Sequence, residues 1–253
     1  MELMYKRCAG LDVHQQTVVA CARVVDAGQL SEEVRTFDTT TTGLIELSGW
    51  LEAKGCTHVA MEATGIYWKP VWHILEEKFE LVLANAAHIK NVPGRKTDVK
   101  DAVWIADLLA HGLIRGSFVP PTPIQDLRAL MRTRKQATRE VARNTQRLQK
   151  ALEDANIKIA GVITDILGKS GRAVLDALVQ GETDPEKLVD LTRGRLKAPR
   201  AKLVEALRGN VREHHRFLIK LHLEQIDALR KAIADIEARV DAQLTPSART
   251  WNC

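Results

Sequence analysis

The pattern of apolar and polar residues changes at Pro120-Pro121-Thr122-Pro123, about halfway along the 253 residues of the chain. Proline fixes its own backbone angle and has no N–H to donate, so neither a helix nor a central strand continues through this segment. Short β-branched runs alternate with helical patterns before it, whereas the residues after it have almost no strand pattern. The break predicts an α/β domain over residues 1–121, a helical region over residues 122–245 and a tail over residues 246–253.

The first part has the pattern of a mixed sheet with helices on its faces. Three apolar or β-branched runs with a tight turn between the second and third predict an antiparallel meander, over residues 9–14, 17–25 and 33–37. Strand and helix patterns then alternate, with strands over residues 57–61 and 79–84 and helices over residues 43–53, 66–78 and 98–110. Strand–helix units after a meander favour a sheet with both parallel and antiparallel pairs.

Two long helices are predicted in the second part, over residues 124–155 and 211–244, with a helical insert between them. Their apolar residues recur at close to heptad spacing, which is typical of coiled coils. An antiparallel hairpin within one chain and a coiled-coil dimer both satisfy this pattern. We therefore expect a homo-oligomer formed through the coiled coil, with the intramolecular hairpin as the alternative.

The polar positions of the first long helix are strongly basic, and few acids lie among them. The candidate nucleic-acid-binding residues there are Arg128, Arg132, Arg139, Arg143 and Arg147. Cationic side chains bind the phosphate backbone, and the lack of interleaved aromatic residues argues against stacking on single-stranded bases. The alternative is a solvated helix face with no ligand.

Acidic side chains follow two predicted strands. Asp12 and Glu62 each end an apolar run, and a carboxylate in that setting needs a partner such as a metal ion. Asp98 and Asp101 are three residues apart at the start of a predicted helix and so share one face. Each acid alone also fits an ordinary strand-end or helix-dipole role. Together they predict a site for Mg²⁺ (or Mn²⁺), which oxygen ligands bind and which activates phosphodiester chemistry.

The remaining composition narrows the class of protein. Lys and Arg total 37 against 32 Asp and Glu, a formal net charge of +5 that suits an anionic partner. The cysteines lie far apart without zinc-ligand spacing, and no apolar run has the length of a membrane span. We expect a soluble cytoplasmic protein with no zinc site and no membrane association.

Three motifs carry a resemblance to a known family: GLDVHQ at residues 10–15, MEATGIYW at residues 61–68, and NAAHIKNVPGRKTDVKDAVWIADLLAHGLI at residues 85–114. They resemble the DEDD transposases of bacterial insertion sequences, with a ribonuclease-H-like, RuvC-type fold. The resemblance implies that Asp12, Glu62, Asp98 and Asp101 are the catalytic metal ligands, that DNA is the substrate, and that a structured RNA guides the reaction. Cations around the third motif would then hold phosphates, or else merely solubilise the chain: Lys90, Arg95, Lys96 and Lys100.

Two other functions compete with a transposase. Family members carry a further domain with a nucleophilic serine, and we expect this chain to lack it, which would leave a nucleic-acid-binding fragment without turnover. A sugar-kinase or actin-like ATPase also begins with an acid after a strand, but no Gly-rich loop follows Asp12. Among the histidines, we expect His14 to point away from Asp12, and His214, His215 and His222 to be solvated.

Overall fold

The computed structural model describes residues 3–63, 65–91, 101–192 and 198–247, apart from the side chains of residues 88, 90, 91 and 245–247. The chain divides into two compact units, Met1–Pro120 and Pro121–Cys253. No helix among the described residues combines the length and the apolar character needed to cross a membrane.

The first unit contains a five-stranded mixed sheet. Its strands are β1 (Arg7–Val13), β2 (Thr17–Asp26), β3 (Gln29–Asp38), β4 (His58–Glu62) and β5 (Glu80–Ala84), in the order β3-β2-β1-β4-β5. The first three strands pair antiparallel, whereas β4 is parallel to both β1 and β5. The predicted α/β class, a mixed sheet with flanking helices, is confirmed.

The meander depends on a two-residue turn. Asp26 pairs with Gln29, and the residues between them, Ala27 and Gly28, have φ angles of 48° and 83°. Positive φ at both central positions matches the right-handed twist of the two strands. Pairing therefore extends through the whole of β3, which is longer than the predicted strand at residues 33–37.

Helices cover both faces of the sheet. They are α1 (Thr41–Ala53), α2 (Trp68–Leu75), α3 (Ala86–Asn91) and α4 (Asp101–Ala110). Thr40 caps α1, since its side chain accepts a hydrogen bond from the Gly43 N–H at 3.2 Å. Leu44, Leu47 and Leu51 of α1 pack with Leu11 and Met61 on one face. The opposite face packs against α4, through Ile105 and Ala106.

The contact between β1 and α4 is unusually close. A Cβ atom on Gly10 would lie 2.3 Å from both the carbonyl oxygen of Ala102 and the backbone nitrogen of Ala106. Those distances are far below van der Waals contact, so only glycine permits the helix to lie here. Gly10 therefore sets the separation between α4 and the sheet.

The second unit is helical. It consists of α5 (Thr122–Asp154), a 3-10 turn (Ile159–Gly161), α6 (Lys169–Gln180), α7 (Pro185–Asp190), α8 (Arg200–Ala206) and α9 (Glu213–Ser247). The long helices α5 and α9 are antiparallel, because Arg134 binds Glu237 at 2.6 Å while Asp154 binds His215 at 2.8 Å. The two long helices of one chain thus form the antiparallel hairpin that was predicted as the alternative to a coiled-coil dimer.

Two histidines of α9 differ from the prediction, since His222 is half-buried and His215 is buried. His215 is 1% exposed, not solvated. Its Nδ1 atom accepts the Arg212 backbone N–H at 3.1 Å, and its Nε2 atom lies 2.8 Å from Asp154. The hydrogen bond from His215 holds the pKa of Asp154 below its usual value. His215 thus caps α9 and joins it to the end of α5, a tertiary role that the spacing of histidines does not indicate.

Replacing Gly10 tests the close contact. Gly10→Ala should lower the free energy of unfolding by about 1–3 kcal/mol, since backbone atoms must move to admit the methyl group. Gly49→Ala is the matched control, because Gly49 lies within α1 and, apart from its chain neighbours and the adjacent backbone of the helix itself, no atom lies within 4 Å of the place that its methyl group would take. That control should gain up to about 1 kcal/mol from helix propensity. Urea unfolding measures both, and equal effects would contradict the steric explanation.

Candidate metal centre and nucleic-acid interface

Asp12 and Glu62 lie side by side at the ends of two parallel strands. Leu11 pairs with Met61 in the ladder between β1 and β4, so the next residue of each strand is the acid. Neighbouring strands are roughly 5 Å apart, and residues in register point to the same face. The fold therefore brings these two predicted site residues to adjacent positions.

Both acids are on the face that α4 covers. Gly10, two residues before Asp12, contacts the backbone of α4, and Ala60, two residues before Glu62, packs with Ile105. Side chains two residues apart along a strand share a face. The two carboxylates consequently belong to the α4 side of the sheet.

The direction of α4 brings its first turn to the same end of the sheet. The Cys8 thiol donates to the carbonyl oxygen of Ala106 at 3.6 Å, while Gly10, further along β1, lies against Ala102 as well. Burial raises the pKa of Cys8 to about 12, so the thiol keeps the proton that it donates. The helix thus runs opposite to β1 and begins, at Asp101, toward the end where Asp12 lies.

His14 contacts Asp12, contrary to the prediction. Its Nε2 atom lies 3.1 Å from the Asp12 carboxylate, whose side chain is 22% exposed. Residues 12 and 14 are two apart, and the period of a strand places such residues on one face rather than on opposite faces. The spacing alone could have revealed this neighbour, which can offset part of the charge of Asp12 when protonated.

The donor set fits a hard divalent cation only in part. Within the described ranges, no group of three or more His, Cys, Asp or Glu side chains could hold a metal ion. Asp98 lies outside those ranges, so the predicted set of four acids stays a prediction. Mg²⁺ commonly uses one or two carboxylates, with water and substrate phosphates completing its shell. Asp12 and Glu62 satisfy that requirement in ligand type and number.

The cations predicted around the third motif fall where the structure gives no side-chain description. Lys90 belongs to α3, but its side chain is not described, and Arg95, Lys96 and Lys100 lie between the described residues 91 and 101. Their role in holding phosphates stays a prediction.

The basic residues of α5 form a stripe on the solvent side of that helix. We define the basic stripe as Arg128, Arg132, Lys135, Arg139, Arg143 and Lys150, all of which are exposed. At 3.6 residues per turn these positions fall within about 80° of arc and extend over about 33 Å. The buried residues of α5, such as Leu148 and Leu152, lie on the opposite side.

The other cations of α5 differ from the basic stripe. Arg147 is exposed at its edge, and its guanidinium lies 3.4 Å from the Asn144 side chain. Arg134 is half-buried and binds Glu237 of α9, so it contributes to helix pairing. Asp126 and Glu140 of α5 fall outside the arc of the stripe, although Glu140 binds Arg143. Glu153, three residues beyond Lys150, falls within the arc and binds Lys158. A row of like charges with this spacing is suited to phosphates.

Comparison with known proteins identifies a family. Residues 9–157 match the family model DEDD_Tnp_IS110, described as "Transposase". The comparison with curated proteins gave no match.

Two solved structures of the RuvC protein of Thermus thermophilus are similar to part of the chain. One, in complex with a Holliday junction substrate, is 11% identical with a TM-score of 0.29, covering 44% of this chain and 99% of that chain. The other is 13% identical with a TM-score of 0.29, covering 46% of this chain and 85% of that chain. At this level of similarity, neither structure informs the activity of this chain.

Metal binding at Asp12 and Glu62 can be measured directly. Adding Mn²⁺ should raise the melting temperature of the wild type, because a ligand at 100 times its Kd stabilises the fold by about 2.7 kcal/mol. Asp12→Asn with Glu62→Gln should abolish that rise. The control, Asp26→Asn with Glu52→Gln, makes the same charge change at acids paired with Arg7 and Lys78 and should keep it. An equal rise in all three proteins would exclude this metal site.

Proposed function

This chain belongs to the DEDD transposase family of the IS110 type, and we propose that it cleaves and transfers DNA strands as the transposase of a bacterial insertion sequence. The observation that carries the proposal is the placement of Asp12 and Glu62 at adjacent strand ends on the face covered by α4. Metal-assisted phosphodiester chemistry needs ligands that hold the cation, and this arrangement supplies two carboxylates for it.

The carboxylates of this site would act through Mg²⁺ or Mn²⁺. When bound, the cation activates the attacking oxygen and stabilises the leaving one. Asp12 and Glu62 would hold it, with Asp98 and Asp101 as the further ligands that the family motif implies. Because carboxylates repel a phosphate, substrate and cation are expected to bind together.

The basic stripe would bind the sugar–phosphate backbone of nucleic acid. Its cations are exposed, and Asp126 and Glu140 of the same helix lie outside its arc, although Glu140 pairs with Arg143. Glu153 falls within the arc beyond the last cation of the stripe and pairs with Lys158. The contact would be to phosphates rather than to bases, since no aromatic side chain lies within the stripe. Such contacts give affinity and orientation without reading sequence.

Replacing three stripe residues tests this interface. Arg128→Gln, Arg132→Gln and Arg139→Gln together should weaken binding to a 30-base-pair DNA duplex at least tenfold. The slope of log K against log salt should become shallower by about 0.9 for each phosphate that the variant no longer neutralises. Fluorescence anisotropy across a salt series measures both quantities.

The matched control is the triple change Arg230→Gln, Lys231→Gln and Arg239→Gln on exposed positions of α9. It removes the same charge and should leave the salt slope unchanged. Equal weakening in the two triple variants would mean that net charge alone drives binding, and the stripe would have no special role.

We further propose that a structured RNA guides the reaction, as the family resemblance implies. Purified full chain should retain one abundant RNA species through a high-salt wash, identified by sequencing the bound RNA. Retention of ribosomal and transfer RNA in proportion to their cellular abundance would contradict guidance.

The second candidate function is nucleic-acid binding without turnover. The basic stripe favours it, because binding through that surface needs no metal site. Duplex binding without any Mn²⁺-dependent stabilisation would support this candidate over the transposase. Oligomerisation through the long helices, cytoplasmic location and the predicted domain limits stay predictions.

A further inference from the structure

Part of the contact between α4 and the sheet is built from small residues, beside the larger Ile105 and Leu108. Gly10 and Cys21 on the sheet face Ala102 and Ala106 on the helix. Small side chains allow a close approach, but they make shallow ridges, and interlocking ridges are what normally fix one element along another. The small residues therefore determine how near α4 lies, while directional contacts restrain its position along its own axis, among them the Cys8 thiol on the Ala106 carbonyl and the Met4 and Tyr5 N–H groups on the Ala110 carbonyl.

Arg23 supplies a directional contact to α4. It lies on β2 opposite Cys8, and therefore on the face that α4 covers. Its side chain is 11% exposed, and its Nη2 atom lies 3.0 Å from the Asp107 carboxylate of α4. Its Nη1 atom donates to Glu32 of β3. A guanidinium this deeply buried is strongly unfavourable without its anionic partners, so the geometry at Asp107 is tightly constrained.

Asp107 is six residues after Asp101, the first residue of α4. Six residues of helix span about 9 Å, and a helix of this length moves as a rod. Any shift of Asp107 along the axis therefore shifts Asp101 by the same amount relative to Asp12 on β1. His111 also contacts Asp107, with Nδ1 at 3.5 Å from its carboxylate, but His111 belongs to the same end of the helix and cannot hold it to the sheet.

We propose that Arg23 is a positioning residue for the metal centre: through Asp107 it sets the axial position of α4, and thereby the place of Asp101 relative to Asp12 and Glu62. This inference rests on the proposed function, since it concerns the same site. Arg23 does not touch the reacting atoms. Its effect is on the geometry of the metal ligands.

The structure offers a matched pair of variants around one guanidinium. Asp107→Asn weakens the contact of Arg23 with α4, whereas Glu32→Gln weakens its contact with β3 and leaves the link to α4 in place. A role in stability alone predicts similar behaviour from the two variants. Positioning predicts that only Asp107→Asn changes metal affinity.

Isothermal titration of the full-length chain with Mn²⁺ is the decisive measurement, performed well below the melting temperature of each variant. We expect Asp107→Asn to weaken Mn²⁺ binding at least tenfold, and Glu32→Gln to change it less than threefold. Circular dichroism establishes that each variant is folded. Should Asp107→Asn fail to fold, Arg23→Met with Asp107→Leu replaces the ion pair by apolar groups and is expected to weaken binding to the same extent.

The outcomes separate the two proposals. If the wild type binds Mn²⁺ and the affinity of Asp107→Asn is within threefold of it, the positioning role is overturned and the metal site remains. The same conclusion follows if Glu32→Gln weakens Mn²⁺ binding as much as Asp107→Asn does. A wild type that does not bind Mn²⁺ overturns the proposed metal-dependent function itself, and the positioning role with it.

Discussion

The backbone contact between Gly10 and α4 is the constraint on which the geometry of the proposed metal centre depends. Because Gly10 has no side chain, the backbone of β1 directly contacts the carbonyl oxygen of Ala102 and the nitrogen of Ala106 in α4. The acid that follows on the same face, Asp12, is then directed toward the start of α4. A larger residue at position 10 would move α4, and therefore Asp101, away from the sheet. The packing at Gly10 and the position of Asp101 are therefore coupled.

Much of this arrangement could be predicted from local patterns. The two acids at strand ends, the Thr40 cap and the two long helices follow from periodicity and short-range hydrogen bonding, which act over a few residues. The parallel register of β1 and β4 could not be predicted in that way, because it depends on residues about fifty positions apart. The mixed class of the sheet could therefore be predicted from the sequence, whereas the adjacency of Asp12 and Glu62 could be seen only in the folded structure.

Tertiary contacts explain what the patterns missed. Arg23 has the appearance of an ordinary strand cation, and only the crossing of α4 over β2 supplies Asp107 as its partner. His215 similarly shares its helix with two other histidines, yet it alone of the three is fully buried, because Asp154 at the end of α5 reaches it. The His14 contact was a different case, since the two-residue period of a strand already places it beside Asp12.

The basic stripe on α5 depends on the pairing of α5 with α9. In α5, which the structure describes from end to end, no residue before Asn144 is fully buried, so most of the stripe lies on a stretch of helix outside the core of the second unit. Six like charges along one face repel one another, and an isolated helix of this composition would gain little from its polar side. The antiparallel α9 supplies the compensating contacts, through half-buried apolar residues and the Arg134–Glu237 pair. The packing that holds the basic stripe in place is therefore a property of the hairpin as well as of α5.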